Sequence, residues 1–239
     1  MENNFDLTVL VPVYNEEGNM HRLERELISF VQTPGIRSKV LFIDDGSTDK
    51  SLELIEAACK ANGFFSFVQL KGNHGLSTAF KAGIDQADTE WIGYIDADLQ
   101  TTPGDFKELL KYSDSFDLVT GIRMNRKDSL VKNISSKLAN SIRRSITHDG
   151  ISDTGCPLKI IRTSIAKKIP FFNGMHRFLP ALVLLEGGKI KEVPVHHFPR
   201  IAGKSKYHLW NRLFGPLSDL MVYAWMRRNY IRYQIVKKG

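Results

Sequence analysis

Three times in the first ninety residues a short apolar run ends at polar residues and a helix-patterned stretch follows. Leu7 to Val13 stops at Tyr14-Asn15-Glu16-Glu17, and a stretch rich in Leu and Glu begins. Val40 to Ile43 runs into Asp44-Asp45-Gly46-Ser47-Thr48-Asp49 and then Leu52, Leu54, Ile55 and Ala58 at helical spacing. Phe65 to Leu70 leads through Gly72-Asn73-His74-Gly75 to a helix from about Ser77 to Asp85, and a fourth strand, Trp91 to Ile95, stops at Asp96. Runs of this length alternating with helices predict an α/β chain with a mainly parallel, doubly wound sheet and helices on both faces. Ligands of such sheets sit beyond the carboxyl ends of the strands. Three of these four strand ends carry acids, so they outline one cleft there.

The rhythm changes near residue 116. Asp117 to Gly121 reads as one more strand, Lys132 to Arg144 as a basic helical stretch, and a Pro- and Gly-punctuated section continues to Lys206. Hydrophobic residues at 42% and charged residues at 25% are ordinary for a globular chain, so folding without disulfides is expected. Cys59 and Cys156 form no CxxC or zinc spacing, which fits a reducing compartment and makes the cytoplasm the expected location. An acidic N-terminus lacks the order of a secretory signal. No apolar run reaches the roughly 18 residues of a spanning helix. The net charge of +7 attracts polyanions, and nine Lys and Arg against Asp219 alone concentrate it in the last forty residues. No aromatic and basic recognition motif supports a nucleic-acid partner.

In an extended segment residues two apart point the same way, so Asp96 and Asp98, separated by the small Ala97, are expected to present two carboxylates to one side. That is an oxygen-rich site for Mg²⁺ or Mn²⁺, completed by a diphosphate, with Gln100 as a further neutral oxygen. One of Asp44 and Asp45 is expected to cap the following turn, leaving the other free to face the cleft. Pro12 and Tyr14 can pack on a base with Glu16 bonded to it, or serve as a strand stop and a helix-capping acid. The glycines of the 72–75 loop let backbone N–H groups approach an anion at a helix N-terminus. The histidines show no metal-ligand spacing.

Taken together, Val-Pro-Val-Tyr-Asn-Glu-Glu at 11 to 17, Ile-Asp-Asp-Gly-Ser-Thr-Asp at 43 to 49, Gly75 with Ala79 and Gly83, and Asp96-Ala97-Asp98-Leu99-Gln100 resemble the glycosyltransferase family two pattern on the GT-A fold. The second half resembles dolichol-phosphate mannose synthases and bacterial polyprenyl-phosphate glycosyltransferases. It does so through Gly121-Ile122-Arg123, Lys132 to Ser136, Ser152 to Lys159, Glu192 to Val195 and Arg200 to Lys206. The likeness is co-linear over about residues 7 to 208, which is more specific than any one motif.

The resemblance implies transfer of a sugar from a nucleotide-sugar to a polyprenyl phosphate with inversion. By it Pro12, Tyr14, Glu16 and Asp45, with Asp44 beside them, bind the nucleotide. Asp96, Ala97, Asp98 and Gln100 hold the metal and diphosphate, with Asp98 and Gln100 favoured for metal contact and Asp96 for orienting the donor. Arg200 and Lys206 close over the phosphates, and Arg123, Lys132 and Ser136 receive the acceptor phosphate. Two positions depart from the pattern. Cys156-Pro157-Leu158-Lys159 stands where Ser-Gly-Phe-Arg is common, and Lys132 where an acceptor Arg is common; a Lys is a point charge rather than a bidentate fork.

A phosphate acceptor needs no general base, since its second pKa lies near about 6. A sugar hydroxyl would need one, and Asp153 is then the candidate. A single catalytic unit is expected over 1–206, with a nucleotide-sugar half to 115 and an acceptor half from 116. Residues 207–239 form an amphipathic tail in which Trp210, Leu213, Phe214, Leu217, Leu220, Met221, Tyr223, Ala224 and Trp225 recur at helical spacings beside Arg and Lys. Such a tail suits peripheral contact with an anionic membrane at its cytoplasmic face or packing on the core, with a break or kink expected at Gly215-Pro216. The oligomeric state stays open.

Overall fold

The structure is a computed structural model that describes residues 6–124, 143–199, 209–231 and 236–237, with only the backbone described at 209–217. The expected rhythm is present: β1 (Leu7–Val13), α1 (Glu17–Val31), β2 (Ser38–Asp44), α2 (Ser51–Ala61), β3 (Phe65–Gln69), α3 (Leu76–Gln86) and β4 (Trp91–Tyr94). Then come α4 (Phe106–Leu110), β5 (Leu118–Arg123), helical residues 143–147 (α5), β6 (Lys159–Arg162), α6 (Thr163–Ala166), α7 (Leu179–Leu185), β7 (Ile190–Val195) and α8 (Leu209–Asn229).

Seven strands form one sheet in the order β3-β2-β1-β4-β6-β5-β7. The continuous apolar runs of β1 and β2 have a physical reason: both faces of the sheet are covered. Val9, Val11 and Val13 pack in one apolar cluster with Leu23, Leu27 and Phe30 of α1. Leu10 and Ile43 face the opposite cluster, with Ala79, Phe80 and Ile84 of α3 and Leu182 of α7.

β1 pairs in parallel with β2 and β4, β2 with β3, and β5 with β7. The exception is β6, antiparallel to both β4 and β5. Running backwards, it brings its first residue, Lys159, beside Tyr94 of β4 and Thr120 of β5. The start of β6 therefore shares an edge of the sheet with the carboxyl ends of β4 and β5.

Of the break or kink expected at Gly215-Pro216, a break does not occur, because α8 passes through as one helix. A proline inside a helix removes one backbone hydrogen bond at a cost of about 3 kcal/mol; tertiary packing further along holds this helix. Leu220 and Tyr223 are buried, Tyr223 stacks on Phe178 with centroids 5.6 Å apart, and Asp219 pairs with Arg177 at 2.9 Å. The opposite side leaves Met221 75% and Trp225 69% exposed beside exposed Arg227 and Arg228. Among the described residues no helix is long and apolar enough to cross a membrane.

Candidate active site

At the carboxyl edge the first two loops are stitched together by Asn15, which takes a left-handed φ of 51° that asparagine tolerates better than most residues. Its N–H donates to Ser47 Oγ at 3.0 Å, and its Oδ1 accepts from the Thr48 N–H at 2.7 Å. The Glu16 N–H donates to Ser51 Oγ at 2.8 Å, and Glu16 Oε2 accepts from Asn19 Nδ2 at 2.7 Å. Pro12, Tyr14 and Glu16 lie half-buried along this edge. Asn15 was given no task of its own in the sequence; an asparagine two residues beyond Val13, the last residue of the strand, is the signal it offered.

Neither acid of the second loop is free, contrary to expectation. Asp44 is fully buried and accepts from the Ser47 N–H at 3.2 Å, which closes the turn. Asp45 accepts from the His74 and Gly75 N–H groups at 2.8 Å each and from Asn73 Nδ2 at 3.2 Å. Two of the amides in the 72–75 loop that was expected to face an outside anion, those of His74 and Gly75, are thus turned onto the protein's own carboxylate. Gly46 makes the approach possible: its φ is +71°, and a Cβ there would lie 2.4 Å from the Gly72 backbone. Asp45 keeps lone pairs beyond these three bonds, since an ionised carboxylate offers about four acceptor sites.

The Asp96-Ala97-Asp98 segment is a turn rather than an extension of β4, which ends at Tyr94. The Leu99 N–H donates to the Asp96 carbonyl at 3.3 Å, Leu99 takes a φ of 49°, and the Gln100 N–H donates to Asp98 Oδ1 at 3.2 Å. Strand alternation therefore does not place the two carboxylates; the turn does. Asp96 Oδ1 accepts from the Tyr94 phenol at 2.6 Å. Burial raises the Asp96 pKa above the usual carboxylate range, with the neighbouring Asp98 charge adding to it, against the Tyr94 hydrogen bond and the cations Lys159 and Arg123. Two mutually repelling carboxylates in one turn are the donor chemistry that a hard divalent cation fits. Among the described residues no group of three or more His, Cys, Asp or Glu is placed to hold a metal, so further ligands would come from a diphosphate, Gln100 or water.

Beyond β7 the chain is fastened to this turn. The Phe198 N–H donates to the Gln100 carbonyl at 2.9 Å, and His197 Nδ1 lies 3.1 Å from the same oxygen. Asp105 accepts from the His196 N–H at 2.7 Å, and His196 Nδ1 lies 2.9 Å from it, which raises the His196 pKa. This anchor role of Asp105 was not read from the sequence, because its partner is ninety-one residues away. Arg200 and Lys206 lie outside the described residues, as do Lys132 and Ser136.

On the β5 side the structure joins two residues that the sequence had given separate tasks. Arg123 Nε and Nη2 donate to the two Asp153 oxygens at 2.8 and 2.7 Å, and the Arg123 N–H donates to Asp153 at 3.2 Å. Glu192 Oε1 in turn accepts from the Ser152 and Asp153 N–H groups at 2.8 and 2.9 Å. Burial alone would raise the Asp153 pKa, but the Arg123 guanidinium outweighs it and holds the carboxyl below its usual range. Lys159 is buried, with Nζ donating to the Cys156 carbonyl and lying 6.0 Å from the Tyr94 ring centroid. Burial lowers its pKa against the opposing pull of Cys156, Asp153 and Asp96. The departure seen at Cys156 to Lys159 thus puts a buried cation between the Asp96 turn and the Arg123–Asp153 pair.

The model of the family described as Glycosyl transferase family 2 matches residues 8–170 of this chain. The chain belongs to glycosyl transferase family 2. This family-2 chain is 33% identical over 217 residues to an undecaprenyl-phosphate 4-deoxy-4-formamido-L-arabinose transferase of Salmonella paratyphi B, a match covering 90% of it. It spans 66% of that relative's length, just under two thirds. A glucosyl-3-phosphoglycerate synthase of Mycobacterium tuberculosis, solved with Mn²⁺, UDP-glucose and phosphoglyceric acid, superposes with a TM-score of 0.70 at 12% identity, over 95% of this chain and 81% of that one. A mannosyltransferase of Pyrobaculum calidifontis, solved with GDP-Man and Mn²⁺, gives 0.68 at 17% identity, over 96% and 66%. These two likenesses are of fold, and the family-2 chain has the GT-A architecture.

Proposed function

We propose that the protein is an inverting, divalent-metal-dependent glycosyltransferase that moves a sugar from a nucleotide-sugar to the phosphate of a polyprenol. The observation that carries the acceptor class is the Arg123–Asp153 pair. Asp153 is the base that a sugar-hydroxyl acceptor would call for, and it is held ionised in a bidentate ion pair that makes it a poor proton acceptor. A phosphate acceptor has no such need, because its second pKa is near about 6 and the attacking oxygen is already deprotonated at neutral pH. The name of the Salmonella relative, an undecaprenyl-phosphate transferase, supports the same class.

In this reading Pro12, Tyr14, Glu16, Asp44 and Asp45 line the nucleotide, with Asp45 acting both on the 72–75 loop and through its remaining lone pairs. Asp98 and Gln100 hold Mg²⁺ or Mn²⁺, and Asp96 orients the donor sugar. The metal, when bound, offsets the charge of the departing nucleoside diphosphate. Arg200 and Lys206 add to that charge balance. Arg123, Lys132 and Ser136 receive the lipid phosphate, and Arg123, already aligned by Asp153, presents it in line with the anomeric carbon. The exposed apolar side of α8, with Arg227 and Arg228 at its end, rests on the anionic cytoplasmic face of a membrane, where the acceptor resides.

Transfer of radiolabelled sugar from a panel of UDP- and GDP-sugars to short-chain polyprenyl phosphates, with glycan acceptors alongside, tests the proposal. Labelled polyprenyl product that is lost on chelation and in Asp98→Ala is expected. Failure with every polyprenyl phosphate, or turnover only with sugar hydroxyls, removes it.

A further inference from the structure

Tyr94 is the last residue of β4, and its ring is gripped on several sides. In register it stands opposite Leu10 of β1 and Lys159 of β6. The edge of Phe80 meets it at 5.1 Å and 69°, and Lys159 Nζ lies 6.0 Å from its centroid. Only 7% of the residue is exposed. From that seat the phenol donates to Asp96 Oδ1 at 2.6 Å. An O–H donor at this distance makes a short, directional bond to the carboxyl oxygen. Asp96 itself lies in a turn whose backbone is fixed by the Leu99 N–H bond to its carbonyl, and rotation about its side chain remains. The phenol removes that freedom.

We propose that Tyr94 is a positioning residue for donor binding: it ties down one oxygen of Asp96 so that the other faces the donor sugar instead of turning to the metal beside Asp98. The inference rests on the donor reading above and adds a residue to it. It divides the labour of the two aspartates by a physical cause. Asp98, whose Oδ1 accepts from the Gln100 N–H at 3.2 Å, belongs to the metal and diphosphate. Asp96, restrained by a rigid aromatic, belongs to the sugar. The grip of Phe80 and Lys159 makes the restraint rigid, since a phenol free to swing would follow the carboxylate rather than hold it.

Tyr94→Phe isolates the effect, because it keeps the ring and its packing and deletes the hydroxyl alone. Binding of each UDP- and GDP-sugar and of the matching UDP or GDP, with Mn²⁺, is measured by calorimetry for wild type, Tyr94→Phe, Asp96→Asn and the double variant. The expected result is that Tyr94→Phe weakens the nucleotide-sugar about tenfold while the nucleoside diphosphate changes less than twofold. In the Asp96→Asn background the same change adds little, as coupled residues require. With polyprenyl phosphate as acceptor, kcat falls and the acceptor KM stays within about twofold. Equal weakening of sugar-bearing and sugar-free nucleotides overturns the inference, as does a Tyr94→Phe protein indistinguishable from wild type. A wild type that binds no nucleotide-sugar at all removes the donor reading and this inference with it, an outcome distinct from the other two.

Discussion

Replacing Asp153 by Asn separates the two acceptor classes and can be sized from the structure. The side chain accepts three hydrogen bonds from Arg123, and the pair is nearly dry, with side-chain exposures of 13% and 14%. Asparagine keeps the shape but loses the charge and turns an NH₂ group towards the guanidinium. Exposed pairs are worth about 0–1 kcal/mol, and breaking fully buried ones costs about 3–5 kcal/mol. A pair at the edge of the sheet falls between, so a loss of about 2–3 kcal/mol is expected. For a chain of this size that lowers Tm by about 4–12 °C at pH 7. The Asp153 pKa is depressed in the folded state, so its contribution is present above the unfolded value near 3.8 and is lost as pH falls through the folded one. The gap between wild type and variant is therefore constant from neutral pH down to about pH 5 and closes in stronger acid. Catalysis is the deciding readout. If no proton passes to Asp153, kcat with polyprenyl phosphate stays within about tenfold and its pH profile keeps its shape. General-base catalysis is worth about 10²–10⁴. A loss in that range in a folded Asp153→Asn protein would refute the reasoning and return Asp153 to the role of base.

Gly46→Ala places a methyl 2.4 Å from the Gly72 backbone at a φ of +71°, so a destabilisation of about 3 kcal/mol or more, seen as a lower urea midpoint, is expected. An unchanged midpoint would mean that the two loops do not meet. Burial, with Arg177 and Lys159 adding to it, lowers the His176 pKa from 6.5 to about 3. The unfolded chain then binds the extra proton between those values, so stability falls as pH drops below about 6.5. His176→Gln should flatten that slope in urea midpoints taken at pH 7 and pH 5. On α8, Trp225→Ser with Met221→Ser is expected to reduce binding to anionic vesicles about tenfold and leave the fold intact, since both side chains are exposed. Equal sedimentation of variant and wild type with those vesicles would speak against the membrane reading.

The first half of the chain could be read closely from its pattern because its structure is local: strands buried on both faces are continuous apolar runs, and each helix follows its strand. Partnerships formed at long range could not. The sequence showed that Asp45 was special but not that His74 and Gly75 would donate to it, since nothing in a run of residues says where a loop's amides point. Asp96 and Asp98 were found by their spacing for a reason that the turn overturns, as β4 ends at Tyr94 and Leu99 takes a left-handed conformation in the turn beyond it. Arg123 and Asp153 were each noticed, yet their pairing depends on β6 reversing direction, and a strand four residues long carries no sign of its sense. In α8 the periodicity fitted core and membrane alike because both sides of the helix are apolar: Leu220 and Tyr223 face inward, Met221 and Trp225 outward.

The reversed strand has a consequence for how such a protein can change over generations. The chain leaves the site at Arg123, at the end of β5, and comes back to it at Lys159, where β6 begins beside Thr120. Both ends of the intervening stretch are pinned to neighbouring strands, so a change of length between them need not shift the register of the strand pairs on either side. The entropic cost of a longer loop grows only slowly, by about 0.6 kcal/mol for each doubling. On the proposed reading, which puts Lys132 and Ser136 in that stretch, changes confined to it would alter acceptor preference while the edge formed by β1, β2 and β4 stays as it is.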